Sequence, residues 1–183
     1  MQIACIKLEV AAALSSLLLM AVDVCAAPAP IRIVAIGASN TSGWGVSPQD
    51  AYPSRLQAML RHRGYGAHVT NAGVVLDTTA GMLRRVDSAV PDGTHVVILQ
   101  PGGNDLRFFG TRERRTANID AMVKRLRARK IEVIVFDPAI PPQCYIWDGI
   151  HISAECHMRF ASQLVPRVIT AIRGTLRSGS VRN

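Results

Sequence analysis

Long hydrophobic runs are missing from this chain. The apolar stretch 10–22 is shorter than the roughly 20 residues a bilayer-spanning helix requires, which excludes a membrane span there. The residues just before Cys25, "VDV", lack the small side chains expected ahead of a lipidated cysteine. There are no internal repeats and no low-complexity tracts, and no RNA- or DNA-binding motif is found, so specific nucleic-acid recognition is not expected. Cysteine is scarce. Of the four, Cys5 and Cys25 fall within the first 26 residues, leaving Cys144 and Cys156 for the rest. With 183 residues, about half of them apolar, the composition fits one globular domain with a real core and calls for no second one.

What is present begins with a leader. Lys7 precedes the uncharged stretch "VAAALSSLLLMAV", and Val24-Cys25-Ala26 suits a signal-peptidase site before Ala27, with Pro28 and Pro30 breaking any helical continuation. Residues 1–26 are therefore expected to be a signal peptide, 27–173 the folded domain and 174–183 a loose tail. The expected location is the periplasm or the extracellular space. Setting aside Lys7, Glu9 and Asp23 leaves 20 of 21 basic and 11 of 13 acidic residues, a formal charge of +9. Much of it lies in "TRERRTANIDAMVKRLRARK", 111–130, where Ile119, Met122, Val123 and Leu126 keep helical spacing and the cations fall elsewhere. Such a pattern reads first as a solvated helix face. Attraction to anionic lipid or glycan is the functional alternative.

Strand-like runs at 31–36, 67–70, 95–99 and 131–136 alternate with helical patterns at 53–63, 79–86, 111–130 and 154–173. This alternation predicts an α/β fold, and the central runs lack a period of two, as expected when helices cover both faces of a mainly parallel sheet. In the last helix Phe160, Leu164, Val168 and Ile172 form a core stripe, and Pro166 predicts a kink. Open parallel sheets bind ligands beyond the carboxyl ends of their strands. Four clusters occur there: Gly-Ala-Ser-Asn-Thr at 37–41, "NAGV" at 71–74, "PGGND" at 101–105 and "DGIH" at 148–151.

A serine hydroxyl becomes a nucleophile when an imidazole takes its proton, and a carboxylate commonly fixes the tautomer of that imidazole. Ser39, His151 and Asp148 supply this set, with Asp-x-x-His placing both partners in one turn. The backbone amides of Ser39 and Gly73 and the Asn104 side chain are candidate donors to an oxyanion. His62, His68, His95 and His157 read as structural or exposed. Taken in order, Ser39, Gly73, Asn104 and His151 with Asp148 resemble the SGNH, or GDSL-type, hydrolase family over nearly all of the chain after the leader. "NAGV", "DTTAG" at 77–81, "GGND" and "DGIH" are similar to its thioesterase, lysophospholipase and arylesterase branch. The resemblance implies a flavodoxin-like three-layer α/β/α fold with four to five strands, no metal or cofactor, and hydrolysis of acyl esters or thioesters by a Ser-His-Asp mechanism.

The chain departs from the family at Ala38, where Asp is usual, at Asn40, where Leu or Ile is usual, and at Ile152-Ser153, where Pro and Asn commonly follow the histidine. The first change weakens support for the nucleophile loop more than the chemistry, and Ser153 is placed to cap the last helix. Gly-x-Ser-x-Gly is absent around Ser39, which argues against an α/β-hydrolase elbow. Members of the family the chain resembles usually carry a further helix or strand between the positions of Asn104 and Asp148, and its absence here implies an open, shallow site for short or polymer-borne acyl groups, with Trp44, Phe108 and Phe109 as candidate lining residues. A glycan O-acetylesterase and a non-catalytic basic binding protein on the same scaffold are the alternative functions. Cys144 and Cys156 bracket Asp148 and His151, and in an oxidising compartment they are expected to pair.

Overall fold

The computed structural model describes residues 30–180, apart from the side chains of Phe109 and of 176–180. The expected signal peptide, with Cys5 and Cys25, lies outside the described residues. Four strands form one sheet in the order β2-β1-β3-β4: β1 (Ile31–Gly37), β2 (Ala67–Gly73), β3 (Val96–Gln100) and β4 (Glu132–Val135). Every pairing is parallel. The two inner strands, β1 and β3, are almost wholly buried, which is why their sequences run continuously apolar. Edge strand β2 alternates, with Ala67 and Val69 buried while His68 and Thr70 face out.

Successive side chains of the inner strands feed two separate cores. Ile33, Ala35, Val96 and Ile98 pack beneath α2 (Tyr52–His62) and α5 (Ala154–Ser180). Val34, Ile36, Val97 and Leu99 pack beneath α3 (Thr79–Ala89) and α4 (Arg112–Ala128). The result is the expected three-layer arrangement, at the four-strand end of the expected range. Helix starts follow local chemistry. Thr78 Oγ1 accepts from the Gly81 amide, Thr111 Oγ1 from the Arg114 amide, and Ser153 Oγ from the Cys156 amide at 3.4 Å.

The basic segment is a helix whose Met122 and Leu126 are buried while its cations stay at the surface, and the α5 stripe of Phe160, Leu164, Val168 and Ile172 is buried. α5 runs to Ser180, past Gly174, where the tail is expected to begin. Pro166 lies within it on the exposed side. An unanticipated π-helical turn, Asp105–Phe109, follows β3.

Candidate active site

Parallel pairing brings all strand ends to one edge, with Gly37 opposite both Gly73 and Gln100. Beyond Gly37 the chain enters α1 (Ser39–Ser42), a single turn whose amides at Thr41 and Ser42 donate to the Ala38 carbonyl at 3.0 and 2.9 Å. Thr41 is fully buried. Its hydroxyl donates to Gln100 Oε1 at 2.6 Å and lies 3.2 Å from the Tyr52 hydroxyl, while Ser42 Oγ donates to the Ser39 carbonyl at 2.8 Å. A Cβ on Gly37 would stand 2.0 Å from Thr41 Oγ1, so the glycine is what lets this anchor close. Threonine, glutamine and tyrosine thus hold the turn that an aspartate at position 38 would otherwise brace.

Gly73 packs directly on that turn, since a Cβ there would lie 2.2 Å from the Ser42 amide nitrogen. Its own amide donates to Asn71 Oδ1 at 3.0 Å. The loop after β2 is tied by Asp77, whose carboxylate accepts from Arg85 Nε at 2.8 Å and whose carbonyl accepts from Asn104 Nδ2 at 2.8 Å. Arg85 also donates to the Gly37 carbonyl at 3.2 Å. Buried Asp105 accepts from the Thr79 amide at 2.9 Å and from its hydroxyl at 2.6 Å, locking the third loop to the start of α3.

The fourth loop is a small closed unit. Cys144 and Cys156 form a disulfide, Tyr145 and Ile152 pair antiparallel, and the Ile146 amide donates to the His151 carbonyl at 2.8 Å. Inside it, Asp148 Oδ1 accepts from the amides of Ile150 and His151, each at 2.9 Å, and Oδ2 lies 2.5 Å from His151 Nδ1. The His151 amide, then its imidazole, and the Ile150 amide hold the Asp148 carboxyl down to a pKa of about 2. The aspartate is therefore ionised at neutral pH and fixed against Nδ1, leaving Nε2 for another partner.

Ser39 and Asn104 line one cleft of about 90 Å³ together with Arg107, Tyr145 and Ile150. A wider depression beside it, about 270 Å³, adds Leu106, Arg112 and Arg115. No hydrogen bond joins Ser39 to His151 in this structure. Trp44 stands beside the imidazole, ring centroids 5.8 Å apart, whereas Phe108 is exposed with Arg107 over its ring, and the Phe109 side chain lies outside the description. Sequence reasoning missed the Asp77–Arg85 tie and the Thr41–Gln100–Tyr52 anchor. It noted Asn40 only as a departure, yet this residue lines both depressions and its buried Oδ1 has no hydrogen-bond partner.

Comparison with known proteins gives concordant results. The chain is 28% identical over 112 residues to esterase TesA of Pseudomonas aeruginosa, covering 60% of this chain and 55% of that protein. It is 28% identical over 122 residues to an arylesterase of Vibrio mimicus, covering 64% and 59%. The chain thus spans little more than half the length of these relatives. A crystal structure of TesA superposes with a TM-score of 0.70 at 20% identity, over 76% of this chain and 99% of that one, which establishes the shared fold. Residues 35–166 match the model of the GDSL-like lipase/acylhydrolase family, and the chain belongs to that family.

Proposed function

We propose that the protein is an exported serine ester hydrolase in which Ser39 is the nucleophile, His151 the general base and then acid, and Asp148 the carboxylate that orients it. The observation that carries this reading is the 2.5 Å contact between Asp148 Oδ2 and His151 Nδ1, in the loop bordering the cleft that holds Ser39 and Asn104. The ionised Asp148 fixes the tautomer with the proton on Nδ1 and stabilises the imidazolium formed when Nε2 takes the Ser39 proton. Ser39 Oγ then attacks the ester carbonyl. The Ser39 amide and the second N–H of Asn104 face the developing oxyanion, joined by the Gly73 amide once it leaves Asn71. Collapse expels the alcohol, protonated by His151, and water activated by the same imidazole hydrolyses the acyl-enzyme. The missing Ser39–His151 hydrogen bond is compatible with this course, because catalytic hydrogen bonds often tighten only with substrate bound.

The cleft of about 90 Å³ that holds Ser39 shares Asn40, Gln100 and Tyr145 with the depression of about 270 Å³ beside it, so the two form an open groove rather than one deep enclosed pocket. The favoured substrates are accordingly short acyl esters, or acyl groups presented on a larger body that stays outside. Export rests on the leader-like residues 1–26. Ser39→Ala should abolish hydrolysis of p-nitrophenyl acetate while leaving circular dichroism and Tm unchanged. Retained hydrolysis in that variant would refute the assignment.

A further inference from the structure

Large apolar side chains left in solvent concentrate at one place in the described molecule, the sheet edge that carries the candidate active site. Trp44 follows β1, Val75 and Leu76 follow β2, Leu106 and Phe108 follow β3, and Trp147 sits next to Asp148. Trp147 is 95% and Leu76 66% exposed. Single exposed apolar residues are ordinary, but a cluster contributed by four separate loops around one cleft marks an interaction surface. The loop after β2 is built to present its tip. Leu76 is held at φ +61°, a left-handed conformation unfavourable to a leucine, while Asp77 beside it is fixed by Arg85 and by Asn104.

The charges on this edge select the occupant. Its carboxylates are internally engaged: Asp77 by Arg85, Asp137 by Arg115, Asp148 by His151 and Asp105 by Thr79. Glu113 is held below the usual glutamate range by hydrogen bonding to its own amide and to Thr111 and, more weakly, by the charge of Arg112. Arg107 and Arg112, which line the cleft and the depression beside it, form no ion pair among the described residues. Exposed tryptophan and leucine interleaved with unpaired arginine suit a surface that is apolar below and anionic at its face. We propose that this rim docks the protein on a phospholipid surface bearing anionic headgroups, with the cleft turned toward the lipid. An open groove that does not enclose a long chain then needs only the ester at the surface. The position of the cleft rests on the proposed function, but docking itself does not require catalysis.

The chain's two tryptophans, Trp44 and Trp147, both lie on this rim, so their fluorescence reports docking directly. Vesicles of phosphatidylcholine with 30%, on the order of a plain anionic membrane, of phosphatidylglycerol should blue-shift the emission and co-sediment the protein. Pure phosphatidylcholine vesicles should bind it at least tenfold more weakly, and raised salt should weaken the anionic binding. Leu76→Ser with Trp147→Ser should lower vesicle affinity at least tenfold in co-sedimentation and leave hydrolysis of soluble p-nitrophenyl acetate unchanged. Ser39→Ala should bind vesicles like the parent, which separates failure of docking from failure of the catalytic assignment. Absence of binding to either vesicle, equal binding to both, or unaltered binding of the Leu76/Trp147 variant would overturn the proposal. So would concentration-dependent dimerisation abolished by that variant, which would make the rim a contact between copies.

Discussion

Opening the Cys144–Cys156 bridge perturbs the segment that carries Asp148 and His151 more than any other part of the molecule. The two cysteines are 12 positions apart, and the loss of loop-closure constraint for a ring of that size amounts to about 3 kcal/mol. In a domain of this length each kcal/mol moves Tm by about 2–4 °C, so reduction should lower Tm by roughly 6–12 °C. The reduced loop keeps the Tyr145–Ile152 pairing and the Ser153 amide donation to the Cys144 carbonyl at 2.9 Å, so it should loosen rather than unfold at 25 °C. Activity should then fall while the domain is still native, on the order of tenfold in kcat, within the hundredfold that a 1 Å misplacement can cost. The assay is thermal unfolding and p-nitrophenyl acetate turnover, with and without a phosphine reductant and in Cys144→Ala/Cys156→Ala, alongside thiol counting. Equal Tm and equal kcat in the oxidised and reduced forms, with thiol counts confirming the two states, would refute the reasoning.

Gly73→Ala would press a methyl group onto the backbone of α1 at Thr41 and Ser42, where no flexible side chain can yield; stability should drop by about 1–3 kcal/mol in urea unfolding, and kcat should fall more than KM changes, because the displaced turn carries Ser39. His157 is fully buried, its Nδ1 accepts from the Tyr52 amide, and burial pulls its pKa down to about 4 against a weaker upward pull from Asp50. Its folded pKa lies below the unfolded value near 6.5, so the unfolded chain binds the extra proton: stability is complete above about pH 6.5 and declines as pH falls toward 4, by about 3 kcal/mol from this group. Urea titrations from pH 7 to 4 should show that slope in the parent and a flatter one in His157→Gln. Among p-nitrophenyl esters kept below their micelle concentrations, kcat/KM should peak at about two to four acyl carbons, because an open groove encloses no long chain, and a maximum at long chains would contradict the groove as described.

The parts of the architecture legible in the sequence were those governed by local pattern. Ile33–Ile36 and Val96–Leu99 are apolar without alternation because both faces are covered, and Gly64, at φ +81°, ends α2 where its composition says it should. The Asp148–His151 contact was legible for the same reason, since three residues of separation within one turn leave the pair few ways to avoid each other. The ties between loops were not. Thr41 meets Gln100 across 59 positions, Arg85 reaches Gly37 across 48, and Asn104 reaches Asp77 across 27, and no local signal marks such pairs. The π-helical turn after β3 also escaped.

Covalent capture of the nucleophile tests the central claim most directly. A fluorophosphonate reacts with a serine only when a base activates it and donors stabilise the anion, so intact-mass analysis should show a single phosphonyl adduct. Peptide mapping should locate it on Ser39, and His151→Ala should abolish it while the fold persists. An adduct on any other serine, or no adduct on the folded protein, would contradict the account.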